Sequence, residues 1–321
     1  MQLPDSRPLR LVAPPDPTLF VSPEPHDLRQ GHWDKPNTIT TKDARDLPLP
    51  TGSVGLALTA PPSFFDFETP KGTTQPDRWK LYTHFIKDVI SELWQVLEAG
   101  GRLALVIDPN PGIGHVAADT TVTAILQAHG FIIRGTLIWA KSLAPYPLNQ
   151  GVLRGPHDPT IVGVTERIIL ASKLTTGRRY TQLERRDLDL PSTNKISADN
   201  WAHNRLDLWH VPAPEPAPLI HDFPFPIELA RRLIETHTYE GELVLDPMCG
   251  TGTTALAAHA LNRRYYASDI SKTSIAAARK RLQQHIGEPV QQSANRHPAA
   301  APTQSKPFQQ PTLDLTGECT P

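Results

Sequence analysis

Residues 243–254 constrain the fold of this chain more than any other segment. They read LVLDPMCGTGTT, so a short apolar run ends in an acid and a glycine-rich turn leads into an alanine-rich stretch. We interpret the segment as a strand, a tight turn and a helix. Gly250 and Gly252 let the backbone approach a ligand, and the free N–H groups at the start of the helix favour a carboxylate or a phosphate. The segment predicts a site for a nucleotide-like cofactor at the end of a parallel strand.

A second acid supports a ligand that contains ribose but leaves its identity open. The apolar run 264–268 ends at Asp269, 23 residues after Asp246, a spacing typical of an acid that binds ribose hydroxyls. The glycine turn also fits the Gly-x-Gly-x-x-Ala pattern of dinucleotide sites, which is a weak signal alone. It does not fit an ATP-binding P-loop, because no Gly-Lys-Ser/Thr follows. An ordinary tight turn between a strand and a helix is the remaining alternative.

A stiff turn follows another short apolar strand, in residues 54–65 with the sequence VGLALTAPPSFF. Two consecutive prolines fix two φ angles and donate no hydrogen bonds, so the carbonyl groups of the turn point in set directions. Such a turn can hold an exocyclic amine between acceptors, and a neighbouring aromatic ring can stack on a flat base. The alternative is an ordinary proline-rich loop, in a chain with 34 prolines.

The hydrophobic pattern predicts strands alternating with helices. We expect strands at 54–59, 102–107, 131–139, 166–171, 243–246 and 264–268. We expect helices at 77–98, 118–129, 226–238, from 252 onward and at 271–286. This alternation is typical of a parallel sheet, which binds ligands beyond the carboxyl ends of its strands. Thr59, Asp246 and Asp269 all lie at such ends.

The two turns together resemble one family, the S-adenosylmethionine-dependent DNA amino-methyltransferases of the beta-type motif order. In that family a Ser/Asp/Asn-Pro-Pro-Tyr/Phe motif comes early and an Asp-Pro-Phe-x-Gly-x-Gly motif comes late. Here TAPPSF and DPMCGTG stand in that order, and the resemblance covers about 37–287 except 174–206. It implies an α/β, Rossmann-like methyltransferase fold with a mostly parallel sheet, helices on both faces and a small inserted DNA-recognition region.

The resemblance also implies site residues. Those of the catalytic motif are Thr59, Ala60, Pro61, Pro62, Ser63 and Phe64. Those expected to bind S-adenosyl-L-methionine are Asp43, Phe225, Asp246, Pro247, Met248, Cys249, Gly250, Gly252, Thr253, Thr254 and Asp269. We expect Cys249 to be a small packing residue and not a nucleophile, and we expect no metal.

The catalytic motif departs from the family at two positions. Ala60 stands where the family has Ser, Asp or Asn, and Ser63 stands where it has an aromatic residue. The carbonyl of Pro61 is one acceptor for the amine by resemblance, but alanine cannot supply the second. The residues that can replace the missing acceptor or the missing ring are Thr59, Ser63, Asp66, Phe64 and Phe65. The alternative is a weakened protein that binds cofactor and DNA without turnover.

The target base is predicted from the same position. In the family Ser-Pro-Pro mostly accompanies cytosine N4 and Asp-Pro-Pro mostly accompanies adenine N6. Because Ala60 differs from serine only by a hydroxyl, we favour cytosine N4, with adenine N6 as the alternative. An RNA or small-molecule methyltransferase fits the motif order less well. A nicotinamide-dependent oxidoreductase would have no use for the Pro-Pro turn.

The polar segment 174–206 is our candidate for DNA recognition, since arginine and lysine bind guanine edges and phosphates. Its basic residues are Arg178, Arg179, Arg185, Arg186, Lys195 and Arg205. The alternative is a solvent-exposed loop whose acidic residues offset these charges.

We divide the chain into an extended arm at 1–36, a catalytic half at 37–173, this segment, a cofactor-binding half at 207–287 and a disordered tail at 288–321.

Composition agrees with a DNA-modifying enzyme of the cytoplasm. The chain has 321 residues, 39% of them hydrophobic, and a net charge of −1, which allows a local basic face but argues against nonspecific wrapping of nucleic acid. No apolar run approaches the length of a membrane span, no signal peptide opens the chain, and two cysteines cannot form a disulfide framework or a zinc site. We expect double-stranded DNA and, as a second candidate partner, a restriction endonuclease for the same site, with the protein a monomer or a homodimer.

Overall fold

The computed structural model describes residues 37–64, 66–109, 117–142, 163–178, 180–213 and 226–286. The expected arm at 1–36 and the expected tail at 288–321 therefore lie outside the described residues. The strands are β1 (Thr38–Thr41), β2 (Val54–Thr59), β3 (Leu97–Ile107), β4 (Phe131–Ala140), β5 (Thr165–Lys173), β6 (Leu208–His210), β7 (Leu243–Asp246) and β8 (Arg264–Asp269). The helices are α1 (Gln75–Val96), α2 (Ala118–Ala128), α3 (Gln182–Asp187), α4 (Ala198–His203), α5 (Ile227–His237), α6 (Thr253–Ala260) and α7 (Lys272–Ile286).

All strands of the described chain join one sheet in the order β1-β8-β7-β2-β3-β5-β4-β6. Only β5 runs antiparallel to its neighbours, β3 and β4, and every other pair is parallel. We call the edge where β2, β7 and β8 end the carboxyl edge, and the edge where they begin the amino edge. The mostly parallel α/β sheet confirms the fold class expected from the sequence.

Helices cover both faces of the sheet. Buried side chains of α1 and α2 pack with one face, and those of α5, α6 and α7 pack with the other. Helix α1 begins where Thr74 accepts a hydrogen bond from the Asp77 amide, and its stripe Tyr82, Ile86, Ile90 and Leu93 is fully buried. Within the described ranges, no helix combines the length and the apolar character that crossing a membrane requires.

Some elements differ from the predictions made from sequence. The predicted helix 77–98 runs from Gln75 to Val96, and β3 starts directly after it at Leu97 instead of at residue 102. The sequence pattern missed the two strands at the outer sides of the sheet, β1 and β6, because three or four residues are too few to show a period. It also missed the short helices α3 and α4 in the segment 174–206.

The segment 174–206 begins at the amino edge, because β5 runs antiparallel to β3 and ends there. The guanidinium group of Arg178 donates to the carbonyl of Gly55 near the start of β2 at 2.7 Å. The same group forms ion pairs with Glu242 and, at 2.7 Å, with Glu98. The segment 174–206 comes closest to the rest of the protein at Gly100, which has φ +72°. A Cβ at this position would lie 2.1 Å from the carbonyl oxygen of Gly177.

Arg185 completes this anchor from helix α3. It forms a 3.2 Å ion pair with Glu242, donates to the carbonyl of Pro191 at 2.6 Å and places its guanidinium 3.9 Å from the centre of the Tyr239 ring. Its side chain is only 8% exposed, and that of Arg178 is 11% exposed. Two arginines that the sequence suggested for DNA contact thus hold the segment against the body of the protein.

We expect Arg178→Ala to lower the free energy of unfolding by about 3 kcal/mol, because it leaves the partly buried carboxylates of Glu98 and Glu242 without their shared partner. Chemical denaturation followed by circular dichroism measures this change. Arg186→Ala is the matched control, since Arg186 is exposed in the same segment and its loss should cost at most about 0.5 kcal/mol. Equal stability of the two variants would show that the ion pairs do not anchor the segment.

Candidate active site

The carboxyl edge of the sheet brings the two sequence motifs together. Strands β2 and β7 are parallel neighbours, with Ala57 opposite Leu245. Thr59 ends β2 and Asp246 ends β7, so both residues reach the same edge. The Pro-Pro turn and the glycine turn therefore leave the sheet side by side.

The glycine turn has a geometry that other residues would strain. Gly250 has φ +50° and Gly252, the N-cap of α6, has φ +81°. A Cβ at Gly252 would lie 3.0 Å from the Cβ of Ala278, so helix α7 packs directly against the turn. No side chain caps α6, which leaves its first N–H groups available to an anionic group of a ligand.

Asp246 is buried beneath this turn. Its carboxylate accepts hydrogen bonds from the Thr254 hydroxyl at 2.6 Å and from the Met248 amide at 3.3 Å. Burial raises the pKa of Asp246 to about 6, and the hydrogen bond from Thr254 opposes that rise. The buried Thr59 hydroxyl also favours the charged carboxylate but forms no hydrogen bond of normal geometry. The carboxylate thus organises the turn from within the core.

Two further acids stand at the same edge. Asp269 accepts from the Gly250 amide at 2.9 Å and from the Ser271 amide at 2.8 Å, so it holds the glycine turn to the end of β8. Asp43 follows β1, the parallel neighbour of β8. The guanidinium of Arg45 binds both oxygens of Asp43, at 2.9 and 2.7 Å, and lowers the pKa of that carboxyl.

The other residues expected at the cofactor site support the turn. Cys249 is buried, and burial raises the pKa of its thiol, which fits a packing residue and not a nucleophile. Pro247 accepts from the hydroxyl of Ser268, and Met248 is partly exposed beside the core. Phe225 lies outside the described residues.

Sequence reasoning missed Arg281, a residue of α7 that reaches the turn. Its guanidinium donates to the hydroxyl of Thr253 at 3.0 Å and lies 3.4 Å from the hydroxyl of Thr251. Burial lowers the pKa of Arg281. No local motif marks this arginine, because its role depends on the packing of α7 against the turn.

The catalytic motif leaves a short exposed face. Ala60, Pro61, Pro62 and Ser63 are all partly exposed. Phe64 is only 1% exposed, and its ring packs edge-on against Trp79 and Tyr82, with ring centres 5.4 and 5.9 Å apart. Phe64 therefore anchors the turn to helix α1, and its face is not presented to a ligand. Phe65 lies outside the described residues.

Ser63 closes the turn through Asp66. The Ser63 hydroxyl donates to the Asp66 carboxylate at 2.6 Å, and the Asp66 amide donates back to the same hydroxyl oxygen at 3.2 Å. A carboxylate that accepts a hydrogen bond from the hydroxyl raises the electron density on the serine oxygen. That oxygen is then a better acceptor for a hydrogen bond from a third group. The pair places polar acceptors next to Ala60, which has none.

A comparison with known proteins identifies the family. The family model described as DNA methylase matches residues 54–280, a span that contains both turns. The chain belongs to this family. S-adenosyl-L-methionine is accordingly the cofactor of this methyltransferase, as the sequence motifs implied.

Individual relatives agree with this assignment. Type II methyltransferase M.BglII of Bacillus subtilis is 25% identical over 254 residues, which are 76% of this chain and 66% of M.BglII. The structure of TTHA0409 from Thermus thermophilus with S-adenosyl-L-methionine has a TM-score of 0.59 at 23% identity and covers 78% of this chain and 95% of its own. PvuII DNA methyltransferase, which is cytosine-N4-specific, has a TM-score of 0.60 at 16% identity, with 77% and 86% covered. Both structures share the fold of the methyltransferase.

The residues expected to bind DNA do not gather at the catalytic motif. Arg178 contacts the start of β2, roughly 13 Å along the strand from Thr59. Lys195 is 84% exposed beside Glu240, and Arg205 lies 5.9 Å from the Trp201 ring centre. Arg186 is exposed, and Arg179 lies outside the described residues.

We expect Asp246→Asn to stabilise the cofactor-free methyltransferase at pH 8 by about 1–3 kcal/mol. The folded pKa of about 6 exceeds the ordinary value of 3.8, so the free energy of unfolding falls as pH rises between these values and stays lowered above them. Asparagine removes this loss and still offers an acceptor to Thr254.

Denaturation at pH 8 and at pH 4 tests this expectation, since the gain should vanish at the lower pH. Asp88→Asn on the exposed face of α1 is the control and should show no difference between the two pH values. A variant that is less stable than the parent at pH 8 would show that the charge of Asp246 does not destabilise the fold.

Proposed function

We propose that this methyltransferase transfers a methyl group from S-adenosylmethionine to the N4 amine of cytosine in double-stranded DNA, as the modification enzyme of a restriction-modification system. The observation that carries the proposal is the adjacency of the Pro-Pro turn and the glycine turn at neighbouring strand ends. Such adjacency supports transfer between a base held at one turn and a cofactor held at the other. The name of M.BglII, a Type II methyltransferase, supports the restriction-modification context.

The cofactor fits the polar groups of the carboxyl edge. The uncapped N–H groups at the start of α6 suit the carboxylate of its methionine part. Asp269 lies at the end of the next strand, where it suits the ribose hydroxyls, and Asp43 suits the adenine side. When bound, S-adenosylmethionine supplies an electrophilic methyl group on a sulfonium.

The reaction requires a target base outside the helical stack, because the amine cannot be reached inside the duplex. The carbonyl of Pro61 accepts one amine hydrogen. Holding the amine by acceptors lets its nitrogen pyramidalise and direct its lone pair at the methyl carbon, so positioning and electrostatics drive a direct transfer. Bound S-adenosylmethionine would supply the methyl group and would leave as a neutral thioether, and the amine would release one proton to solvent. The buried thiol of Cys249 takes no part.

We assign the second acceptor to the Ser63 hydroxyl, with Asp66 as its positioning residue. Thr59 is the competing candidate, but its hydroxyl is fully buried between the strands. Ser63 is partly exposed, and it keeps a lone pair while it donates to Asp66. A Ser63–Asp66 pair would restore at position 63 the function that Ala60 lacks.

The identity of residue 60 supports the choice of target base. Ala60 is closer to the serine form of the motif than to the aspartate form, which favours cytosine N4 over adenine N6.

Since Arg178 and Arg185 are buried in ion pairs, we assign them to holding the segment 174–206. DNA contacts from this segment then fall to the exposed Arg186, Lys195 and Arg205. A protein that binds cofactor and DNA without turnover is the second candidate, which the alanine at position 60 favours.

Nucleoside mass spectrometry tests the reaction. DNA from a methylation-free host is incubated with the protein and S-adenosylmethionine, and we expect N4-methylcytosine. Ala60→Ser should keep or raise the yield, because serine restores a second acceptor. Appearance of N6-methyladenine instead would reverse the choice of base. No methylated base, with cofactor binding intact, would favour the binding protein.

We expect Ser63→Ala to lower kcat by about 10–1,000-fold, because one acceptor on the reacting amine is lost. Affinity for S-adenosylmethionine, measured by calorimetry, should stay the same. Asp66→Asn should produce a smaller loss, since it weakens the polarisation of Ser63 without removing its oxygen. Thr59→Val is the matched control: a loss of kcat confined to this variant would transfer the acceptor role to Thr59.

A further inference from the structure

A cavity of about 660 Å³ opens at the amino edge, on the face of the sheet that α5 covers. Strands β3, β4 and β5 form its floor, and the segment 174–206 and the end of α5 form its walls. Four arginines line it, and no described lining residue is acidic. These arginines are Arg102, Arg134, Arg178 and Arg205. The cavity lies at the opposite edge of the sheet from the catalytic motif.

Within the described residues, one of the four arginines of this cavity forms ion pairs with carboxylates, and Glu98 and Glu242 act on Arg102 only from a longer distance. Arg178 is neutralised by Glu98 and Glu242. Among the described residues, the other three arginines form no ion pair. The Nη2 of Arg102 donates a hydrogen bond to the carbonyl of Thr176 at 2.9 Å. The Nη1 of the same side chain is buried and has no hydrogen-bond partner. A buried charged donor without a partner is costly unless a ligand supplies an acceptor.

His237 lines the same cavity as the four arginines. Burial, and after it the positive charges of Arg102, Arg178 and Arg134, lower the pKa of this histidine to about 4. The imidazole is neutral at pH 7 and can still donate or accept a hydrogen bond. The nearby Thr236 hydroxyl is buried and also lacks a partner.

The size and lining of the cavity indicate the ligand. A volume of about 660 Å³ is within the range of small-molecule sites. A guanidinium group can bind two phosphate oxygens at once, and three guanidinium groups that form no ion pair suit a doubly charged group. Trp201 is 40% exposed in the wall, where its ring can stack on a base.

We propose that this cavity binds the phosphate of a nucleotide, with the base against Trp201. Arg102, Arg134 and Arg205 hold the phosphate. The phosphate comes from a free nucleotide or from the backbone of DNA, and the chemistry of the site is the same for both. Because the cavity is at the amino edge, its occupancy does not require methyl transfer, so the proposal stands apart from the reaction assigned to the carboxyl edge.

Calorimetric titration of the full chain with inorganic phosphate, deoxycytidine monophosphate and deoxycytidine tests the proposal. We expect one site for the monophosphate, weaker binding of inorganic phosphate and none of deoxycytidine. The double variant Arg134→Gln, Arg205→Gln should weaken monophosphate binding by at least about tenfold, since both side chains are exposed and lose charged hydrogen bonds. Lys280→Gln, exposed on α7 outside the cavity, should leave the affinity unchanged.

Further arms separate the two sources and a failure to fold. A short DNA duplex that binds through Arg134 and Arg205, while the monophosphate does not bind, would identify the DNA backbone as the source. Unchanged affinity for S-adenosylmethionine and an unchanged circular dichroism spectrum show that the double variant is folded. Absence of binding by both phosphate compounds and by the duplex, or binding that the double variant retains in full, would overturn the proposal.

Discussion

The parallel pairing of β2 with β7 is the contact on which the site depends. The motifs that end these strands are separated by most of the chain in sequence, and only the ladder between the strands makes them neighbours. Parallel strands must be joined by crossover connections. Helices α1 and α2 on one face and α5 to α7 on the other provide these connections and cover the sheet. The buried Asp246 beneath the glycine turn is tolerated because Thr254 and a backbone amide satisfy it.

The Pro-Pro turn departs from the motif of its family at positions 60 and 63. Position 60 lacks the acceptor that the resembling family carries, yet Ser63 and Asp66 form a hydrogen-bonded pair three residues along. Phe64, between them in sequence, is committed to the aromatic cluster with Trp79 and Tyr82, and this packing fixes the direction of the turn. In the proposed mechanism, stability and chemistry would therefore depend on different residues of the same short segment.

The two edges of the sheet present different groups of polar residues. The carboxyl edge holds acids and open N–H groups around the turns, whereas the amino edge holds arginines from several elements. Arg178 and Arg185 both form ion pairs with Glu242, which directly precedes β7. These ion pairs hold the segment 174–206 to the strand that leads into the glycine turn.

Local patterns alone determined the glycine turn, the Pro-Pro turn, most strands and helices, and the family, since each depends on neighbouring residues with strong backbone preferences. The expected place of Asp246 and Asp269 at strand ends also followed from local pattern. Tertiary structure alone decided that Arg178 and Arg185 are buried, that Arg281 reaches the glycine turn, and that Arg102 and Arg134 face one cavity. The physical reason is that a long charged side chain carries no periodic signal. Whether it meets solvent, a carboxylate or another arginine depends on which distant element packs beside it.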